Sequence, residues 1–495
     1  MPERSLKSRT AGTLKWNAID RVASQLLYAV TGVVLARILS QEDFGLVGAV
    51  LVFQAFASLL VDSGFSYALL QRKRPSRLDY STVLWFNLAI ATLLYIILFA
   101  AAPLIADCFQ GDRRIIPLSR VMFLSVILNA SAIVQTNRLM KQMNVRMVAV
   151  SNSLGLVIGG VAGIVMAVTG WGAWAIVYQT LVQAAVKSLV LWTSQRWRPR
   201  WAFSWKSLRG FFGIGSRMML TGFLNTLFLN IYAFFIGNRV GLVPLGYYTQ
   251  SDKWSKMGVM SIYQVITSSF LPTLSHVQDD PDRFRRMCGK MARFTAYLTF
   301  PALVWLATMA TPVFHLLFGT KWDLSIILFQ ILAVRGIFTV LTGLYNNYML
   351  ALGHARAIMW LEVVRDALAL AALALTFTSM GIATPGNPVR GLEILLWGQL
   401  AASAIAWVTT LAVTSRITGI GMRRMLCDIA PYACLTALTV PLMHMCTALT
   451  DLPLMQLAAM GVTAVAVYGG LGAIGHSRVQ REAIEYILKR NIPKK

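Results

Sequence analysis

WNAIDRVASQLLYAVTGVVLARILSQEDFGLVGAVLVFQAFASLLVDSGFSYALLQRKR, residues 16–74, decides the fold. It falls into two long apolar segments, Leu14–Leu39 and Asp43–Leu70, joined by the short acidic turn Ser40-Gln41-Glu42 and closed by the basic run Arg72-Lys73-Arg74. Each segment exceeds the ~20 residues a helix needs to cross a hydrocarbon core. A hairpin in water would turn a regular polar face to solvent, and here that face is thin. The polar residues of the first segment, Asn17, Asp20, Arg21, Ser24 and Gln25, recur at helical spacing and share one side. A charged pair in a membrane helix cannot comfortably face lipid, so this side is expected to line a water-filled interior.

Composition agrees. The chain has 495 residues, 57% of them hydrophobic and 13% charged, with a mean hydropathy of +0.62. Soluble proteins carry about 25% charged residues. The chain reads as an all-α integral membrane protein. Its net charge of +25 would suggest a nucleic-acid partner only if a soluble domain carried a basic face, and no stretch is left over to form one. The charge is better explained by Lys and Arg collecting on one side of a bilayer. The five cysteines form no C-x-x-C, and the five histidines have no metal-ligand spacing, so neither a disulfide framework nor a metal site is expected. The first apolar segment is too long for a cleavable leader and runs on into the second.

Hydropathy and Pro/Gly punctuation predict fourteen spans, near 14–39, 43–70, 80–107, 116–138, 146–169, 172–194, 210–238, 246–274, 287–311, 323–352, 355–380, 391–415, 425–449 and 454–475. With the N-terminus in the cytoplasm, 31 of the 45 Lys and Arg fall in inside segments, 5 in outside loops and 9 within spans. That asymmetry supports the count and places both termini inside. The longest inside loop, SQRWRPRWAFSWKSLR (194–209), alternates Trp and Arg, which could stack on nucleic acid but suits the headgroup region of a membrane far better.

The chain repeats itself. VVLARILSQEDFGLVG (33–48) resembles FFIGNRVGLVPLGYYT (234–249), with Gly45 matching Gly246 at an offset of 201. The same offset pairs Gly12 with Gly213, Ala36 with Gly237 and Phe44 with Leu245. Six spans separate the copies, so both halves have one orientation in the membrane. Parallel repeats of this kind place a substrate site between two lobes. The expected domains are an N-lobe over 1–194, a basic aromatic linker over 195–209, a C-lobe over 210–415, and two further spans with a basic tail over 416–495.

Charges at the centre of a span cost about 2.5–3.5 kcal/mol each on insertion scales, so the mid-span ones need a reason. The nine basic residues are Arg21, Arg37, Arg120, Lys187, Arg217, Lys253, Lys256, Arg335 and Arg365; the acidic ones are Asp20, Asp62, Asp252, Glu362 and Asp366. Asp252 with Lys256, and Glu362 with Arg365, have the spacing of structural pairs. Lys187 can snorkel to the inner face, and Arg37 and Arg120 stand near outer ends. Asp62-Ser63-Gly64 reads as a helix-end packing motif. Arg21, Arg217, Lys253 and Arg335 are the candidate substrate-binding cations, and Asn346 and Asn347 either line the same cavity or knit two helices. The basic excess suits an anionic substrate, and Arg is the favoured planar partner for phosphate.

The segments ARILSQEDFGLVG (36–48), DSGFSYALLQRK (62–73), STVLWFNLAIA (81–91), LGYYTQSDKW (245–254), FLPTLSHVQDDPDRFRR (270–286), FPALVWLATMATPVFHLLFGTKW (300–322) and LALGHARA (350–357) give the chain a family likeness. It resembles the Wzx-type polysaccharide flippases, closest to the WzxC-like subgroup. These form the polysaccharide transport branch of the MOP superfamily, which also holds the MATE drug exporters and lipid II flippases. The likeness covers most of residues 10–375; the last two spans resemble only generic membrane helix. Asn238-Arg239 departs from the first copy, leaving Arg37 without a counterpart.

The resemblance implies two six-helix lobes plus two accessory helices, and export of an undecaprenyl-diphosphate-linked oligosaccharide across the bacterial inner membrane by alternating access. It implies a transporter rather than an enzyme, with no cofactor beyond coupling to a proton or sodium gradient, for which Asp20 and Asp62 are the candidate groups. A monomer among membrane lipids is expected, with a polysaccharide polymerase and a chain-length regulator as partners. The rival readings are a MATE-like drug or cation antiporter, which would want carboxylate-lined lobes, and a membrane glycosyltransferase or polymerase, which would want a sizeable outside loop.

Overall fold

The computed structural model describes residues 3–62, 64–195, 197–384, 387–448 and 450–474. Over these residues the chain is helical, with one isolated pairing between Thr384 and Asn387. The helices are α1 (Glu3–Ile38), α2 (Gln41–Asp62), α3 (Phe65–Gln71), α4 (Arg77–Cys108), α5 (Ile115–Met122), α6 (Leu124–Lys141), α7 (Val145–Val168), α8 (Trp174–Thr193), α9 (Trp205–Arg239), α10 (Leu242–Ser275), α11 (Pro281–Thr308), α12 (Ala310–Leu317), α13 (Asp323–Ala351), α14 (Ala355–Thr376), α15 (Arg390–Thr418), α16 (Met422–Thr447) and α17 (Pro453–Ile474).

Every expected span coincides with one of these helices or with a consecutive pair, but the count of fourteen is not reached. Eleven described helices are long and apolar enough to cross a membrane, or twelve if α11 and α12, bent by 61° at their junction, form one span. The shortfall lies in α10 and α14. The first half of α10 carries Asp252, Lys253 and Lys256, and its second half is rich in Ser, Thr and Gln; α14 carries Glu362, Arg365 and Asp366 at its middle. The charges that dilute the apolar signal are mostly those expected to pair for structure, with Lys253 the one substrate-binding candidate among them. The expected basic tail, 475–495, lies outside the described residues.

Caps set the helix starts. Ser40 and Asp43 exchange backbone hydrogen bonds at the head of α2, Ser76 and Asp79 form a capping box on α4, and Asp280 accepts from the backbone of Asp282 and Arg283 ahead of Pro281. The second apolar segment ends as a helix at Asp62: Gly64 takes a φ of +68°, and a Cβ there would lie 2.4 Å from the Gly215 carbonyl oxygen. The Asp62-Ser63-Gly64 stretch is thus a helix end pressed against α9, with Ser63 itself outside the described residues.

Two compact units form, Met1–Thr249 and Gln250–Lys495. In the first, Gly155, Gly159 and Gly163 make a small-residue stripe along α7, where an added Cβ would meet Gln183 and Gln179 of α8 at 2.8–2.9 Å. This is the close helix contact that small residues permit in a membrane, where burying apolar surface gives no advantage over lipid. The 195–209 linker is pinned to the same unit. Trp85 Nε1 donates to the Arg200 carbonyl, the Arg200 and Ser204 amides donate to Ser81 and Thr82, and Trp201 stacks on Trp85 at 4.5 Å. From there α9 packs along α2, α3 and α4, which carries the unit as far as Thr249.

The repeat meets itself inside the first unit. A Cβ on Gly45 would stand 1.9 Å from the Leu242 carbonyl oxygen, and a Cβ on Gly246 would stand 1.9 Å from the Gln41 carbonyl oxygen. Both contacts obey the 201-residue offset, so the heads of α2 and α10 cross as pseudo-symmetric mates. The 108–114 loop braces the crossing: Arg114 pairs with Glu42 and Asp112, and Asn238 donates to the Cys108 carbonyl. The Arg114 guanidinium holds the Asp112 carboxyl below the ordinary carboxylate range.

In the second unit α11, α13 and α16 enclose a core that includes Phe284, Met291, Leu341, Leu344 and Met425. Two polar links cross it. Arg293 pairs with Asp428 at 2.6 Å, and the Tyr348 hydroxyl donates to the Cys288 carbonyl at 2.8 Å.

Gly45→Ala and Gly246→Ala should each destabilise the protein by about 1–3 kcal/mol or more, because the obstacle is backbone. Gly12→Ala and Gly213→Ala, whose added methyls meet nothing within 4 Å, should leave the melting temperature in detergent nearly unchanged. For Asp112, a depressed pKa stabilises the fold above the unfolded value of about 3.9 and is lost as pH falls through the folded value. Thermal melts of Asp112→Asn should therefore fall below wild type at pH 7 and converge with it as the pH drops below about 4.

Candidate functional site

The predicted site residues divide between the two units. Asp20, Arg21 and Asp62 belong to the first, with Arg217 in α9; the Arg217 side chain lies outside the described residues. Lys253, Arg335, Asn346 and Asn347 belong to the second.

In the first unit Asp20 sits where α1 meets α7. It accepts from Ser24 one turn on at 3.4 Å and from Asn152 Nδ2 at 3.3 Å. Arg21 points to the exposed side of the helix and makes no ion pair with any described residue. The stripe of Asn17, Asp20, Arg21, Ser24 and Gln25 thus splits: the carboxylate turns toward α7 and the guanidinium stays open. Asp62 accepts from Ser66, which accepts from Asn137 Nδ2 at 2.8 Å, so this carboxylate ties α2, α3 and α6 together.

In the second unit the paired charges are those the spacing assigns to structure. Lys256 binds Asp252 at 2.6 Å one turn away, and Arg365 bridges Glu362 and Asp366. Lys253 is left exposed, its ammonium 5.5 Å from the centre of the Trp254 ring. Arg335 has its Nε buried without a hydrogen-bond partner. Asn346 lies close to Glu362 of α14 and keeps its own Oδ1 unpartnered; Asn347 is buried with Nδ2 unpartnered.

One feature escaped the sequence reading. Arg335, Thr339, Thr342 and Asn346 follow one another at steps of four, three and four, a polar stripe down α13 that leads to Glu362 on α14. The sequence marks Arg335 and Asn346 as candidates, but Thr339 and Thr342, set among apolar residues, carry too weak a signal to join them into one stripe. Asn152, the partner of Asp20, carried no signal at all, since a lone Asn in an apolar span points nowhere until its neighbour helix is placed.

Electrostatically, pairing removes Lys256 and Arg365 from the basic count and leaves Arg21, Arg120, Lys187, Lys253 and Arg335 without an ion pair among the described residues. Unpaired cations at such depth can hold an anion by charge-assisted hydrogen bonds.

Comparison with known proteins adds the following. The chain is 26% identical over 351 residues to the succinoglycan biosynthesis transport protein ExoT of Rhizobium meliloti, covering 71% of each. It is 26% identical over 335 residues to the lipopolysaccharide biosynthesis protein WzxC of Escherichia coli, covering 67% of this chain and 68% of that one. The structure matches the lipid II flippase MurJ with a TM-score of 0.74 at 13% identity, over 94% of this chain and 99% of that one. It also matches an inward-facing MATE-family multidrug transporter of the MOP superfamily, with a TM-score of 0.61 at 15% identity, over 80% and 96%. At these identities the structural matches establish the fold alone. Residues 34–327 match the family described as polysaccharide biosynthesis protein, and the chain belongs to that family.

Proposed function

We propose that the protein is a flippase that moves lipid-linked oligosaccharide across the membrane for surface polysaccharide synthesis. It is a transporter, not an enzyme, and a multi-pass membrane protein. The observation that carries the reading is that the candidate cations Arg21, Lys253 and Arg335 have no ion pair among the described residues. They suit a diphosphate and would repel a cationic drug. The names of the relatives, a succinoglycan transport protein and a lipopolysaccharide biosynthesis protein, support the same substrate class.

The finer assignments follow from this reading. The carrier is undecaprenyl diphosphate and the membrane is the bacterial inner membrane, with both termini cytoplasmic. The lobes are 1–194 and 210–415, joined by 195–209, with 416–495 accessory. Arg21, Arg217, Lys253 and Arg335 attract the diphosphate-sugar head, and Asn346 and Asn347 supply amide hydrogen bonds to it. Asp20 and Asp62 are the groups through which a proton or sodium gradient would act. The protein works as a monomer, handing its product to a polymerase and a chain-length regulator.

The test is transport of a defined lipid-linked oligosaccharide in proteoliposomes, with and without a proton or sodium gradient. Arg21→Glu and Arg335→Glu should each lower transport at least tenfold while the amount of membrane-inserted protein is unchanged. Full activity in both reversals would remove the cationic site from the mechanism.

A further inference from the structure

A cleft of about 260 Å³ opens in the flank of the first unit, among α2, α3, α4 and α9. Phe65, Phe86, Leu94, Phe212 and Met219 are among its apolar walls, and Ser216 is the single polar residue of the lining. Two lining residues, Leu93 and Phe212, are 52% and 55% exposed, so the cleft opens sideways, toward the hydrocarbon of the bilayer. Phe65 and Phe86 meet edge to face at 5.1 Å in its wall.

The α9 wall has a polarity of its own. Lys206, Arg209, Phe212, Ser216 and Met219 follow at steps of three, three, four and three, and so share one face. The face begins with two exposed cations at the end assigned to the cytoplasm and continues as apolar wall into the membrane. Neither Lys206 nor Arg209 pairs with a described carboxylate. A third cation, Arg72, is fixed at the same end: it lies 5.1 Å from the centre of the Phe211 ring and binds Asp79 at 3.1 Å. Charge at the mouth and hydrocarbon along the wall complement an anionic head on an apolar tail. A cleft of about 260 Å³ takes a short length of one chain rather than the two chains of a phospholipid, and two cations without a described carboxylate partner suit the two phosphates of a diphosphate.

We propose that this cleft holds the head-proximal isoprene units of a polyprenyl diphosphate, with the diphosphate at Arg209 and Lys206. The placement rests on the flippase reading and names where the carrier lipid is held, apart from the sugar. Substrate chain would lie along α4 and α9 in this loading state, with the diphosphate at Arg209 and Lys206 before it passes to the interior cations.

The test uses the full chain in lipid nanodiscs and a sugar-free polyprenyl diphosphate of eleven isoprene units carrying a photoreactive diazirine near its head. Label is expected on peptides spanning 86–94 or 212–219. Unlabelled polyprenyl diphosphate should compete at least tenfold better than polyprenol or phosphatidylglycerol. Arg209→Glu should weaken labelling at least tenfold, and Ser216→Phe, which fills the slot, should end it. Should Ser216→Phe fail to fold, Leu93→Trp blocks the mouth from a half-exposed position and carries the same expectation. Label confined to other helices, or equal competition by phosphatidylglycerol, overturns the proposal. Oligosaccharide-lipid transport in proteoliposomes separates the two readings. Transport with the label elsewhere sinks the cleft and leaves the flippase; a labelled, diphosphate-selective cleft without transport supports the cleft and sinks the flippase.

Discussion

The carbonyl oxygen of Leu242 fills the place where a side chain on residue 45 would stand, and the carbonyl oxygen of Gln41 does the same to residue 246. Backbone touches backbone at two positions related by the 201-residue repeat. In a bilayer such contact is one of the few forces that can hold helices together, since lipid chains solvate Leu or Val as well as another helix does. The heads of α2 and α10 are therefore fixed by what their side chains lack. The Arg114 pairs and the bond from Asn238 to the 108–114 loop then lock the corners that the two glycines bring together. Gly155, Gly159 and Gly163 apply the same device between α7 and α8.

The second unit adds polar links to glycine contacts of the same kind. A Cβ on Gly343 would stand 2.1 Å from the Tyr263 ring and one on Gly336 2.2 Å from Val259. The polar links are Arg293 with Asp428 and Tyr348 with the Cys288 carbonyl, which tie α11 to α16 and to α13. Each satisfies a group that would otherwise be stranded in hydrocarbon, so each restricts how its helices can pack. Against that background the groups left over become informative. Arg335 with an unpartnered Nε, and Thr295 and Thr299 with unpartnered hydroxyls, are polar groups whose needs the helices around them do not meet.

Helix placement was legible because an apolar run of membrane length admits little else, and because Pro, Gly and capping residues such as Ser40 and Ser76 mark the ends. The repeat was legible too, and Gly45 with Gly246 proved to be its contact point. The span count was the part least open to reading. Hydropathy counts a residue without knowing its neighbour, so Glu362 and Asp366 weigh against α14 even though Arg365 neutralises part of their charge. The two pairs read from i,i+3 and i,i+4 spacing, Glu362 with Arg365 and Asp252 with Lys256, formed because one helix fixes both partners. The link from Asp20 to Asn152 depends on how α1 packs on α7, which no local pattern encodes.

The same logic bears on how charge is distributed for transport. Had every intramembrane cation found a carboxylate, the interior would be a set of neutral pairs, costly to separate and indifferent to a passing anion. Helical spacing prevents that here. Lys256 takes Asp252, and Lys253, the residue next to that carboxylate, is exposed and has no ion pair among the described residues. Arg365 pairs with Glu362 and Asp366 on its own helix α14, and Arg335 on α13 has no ion pair among the described residues. The pairing that stabilises these helices therefore uses up the nearby carboxylates and leaves Lys253 and Arg335 without a counter-charge among the described residues.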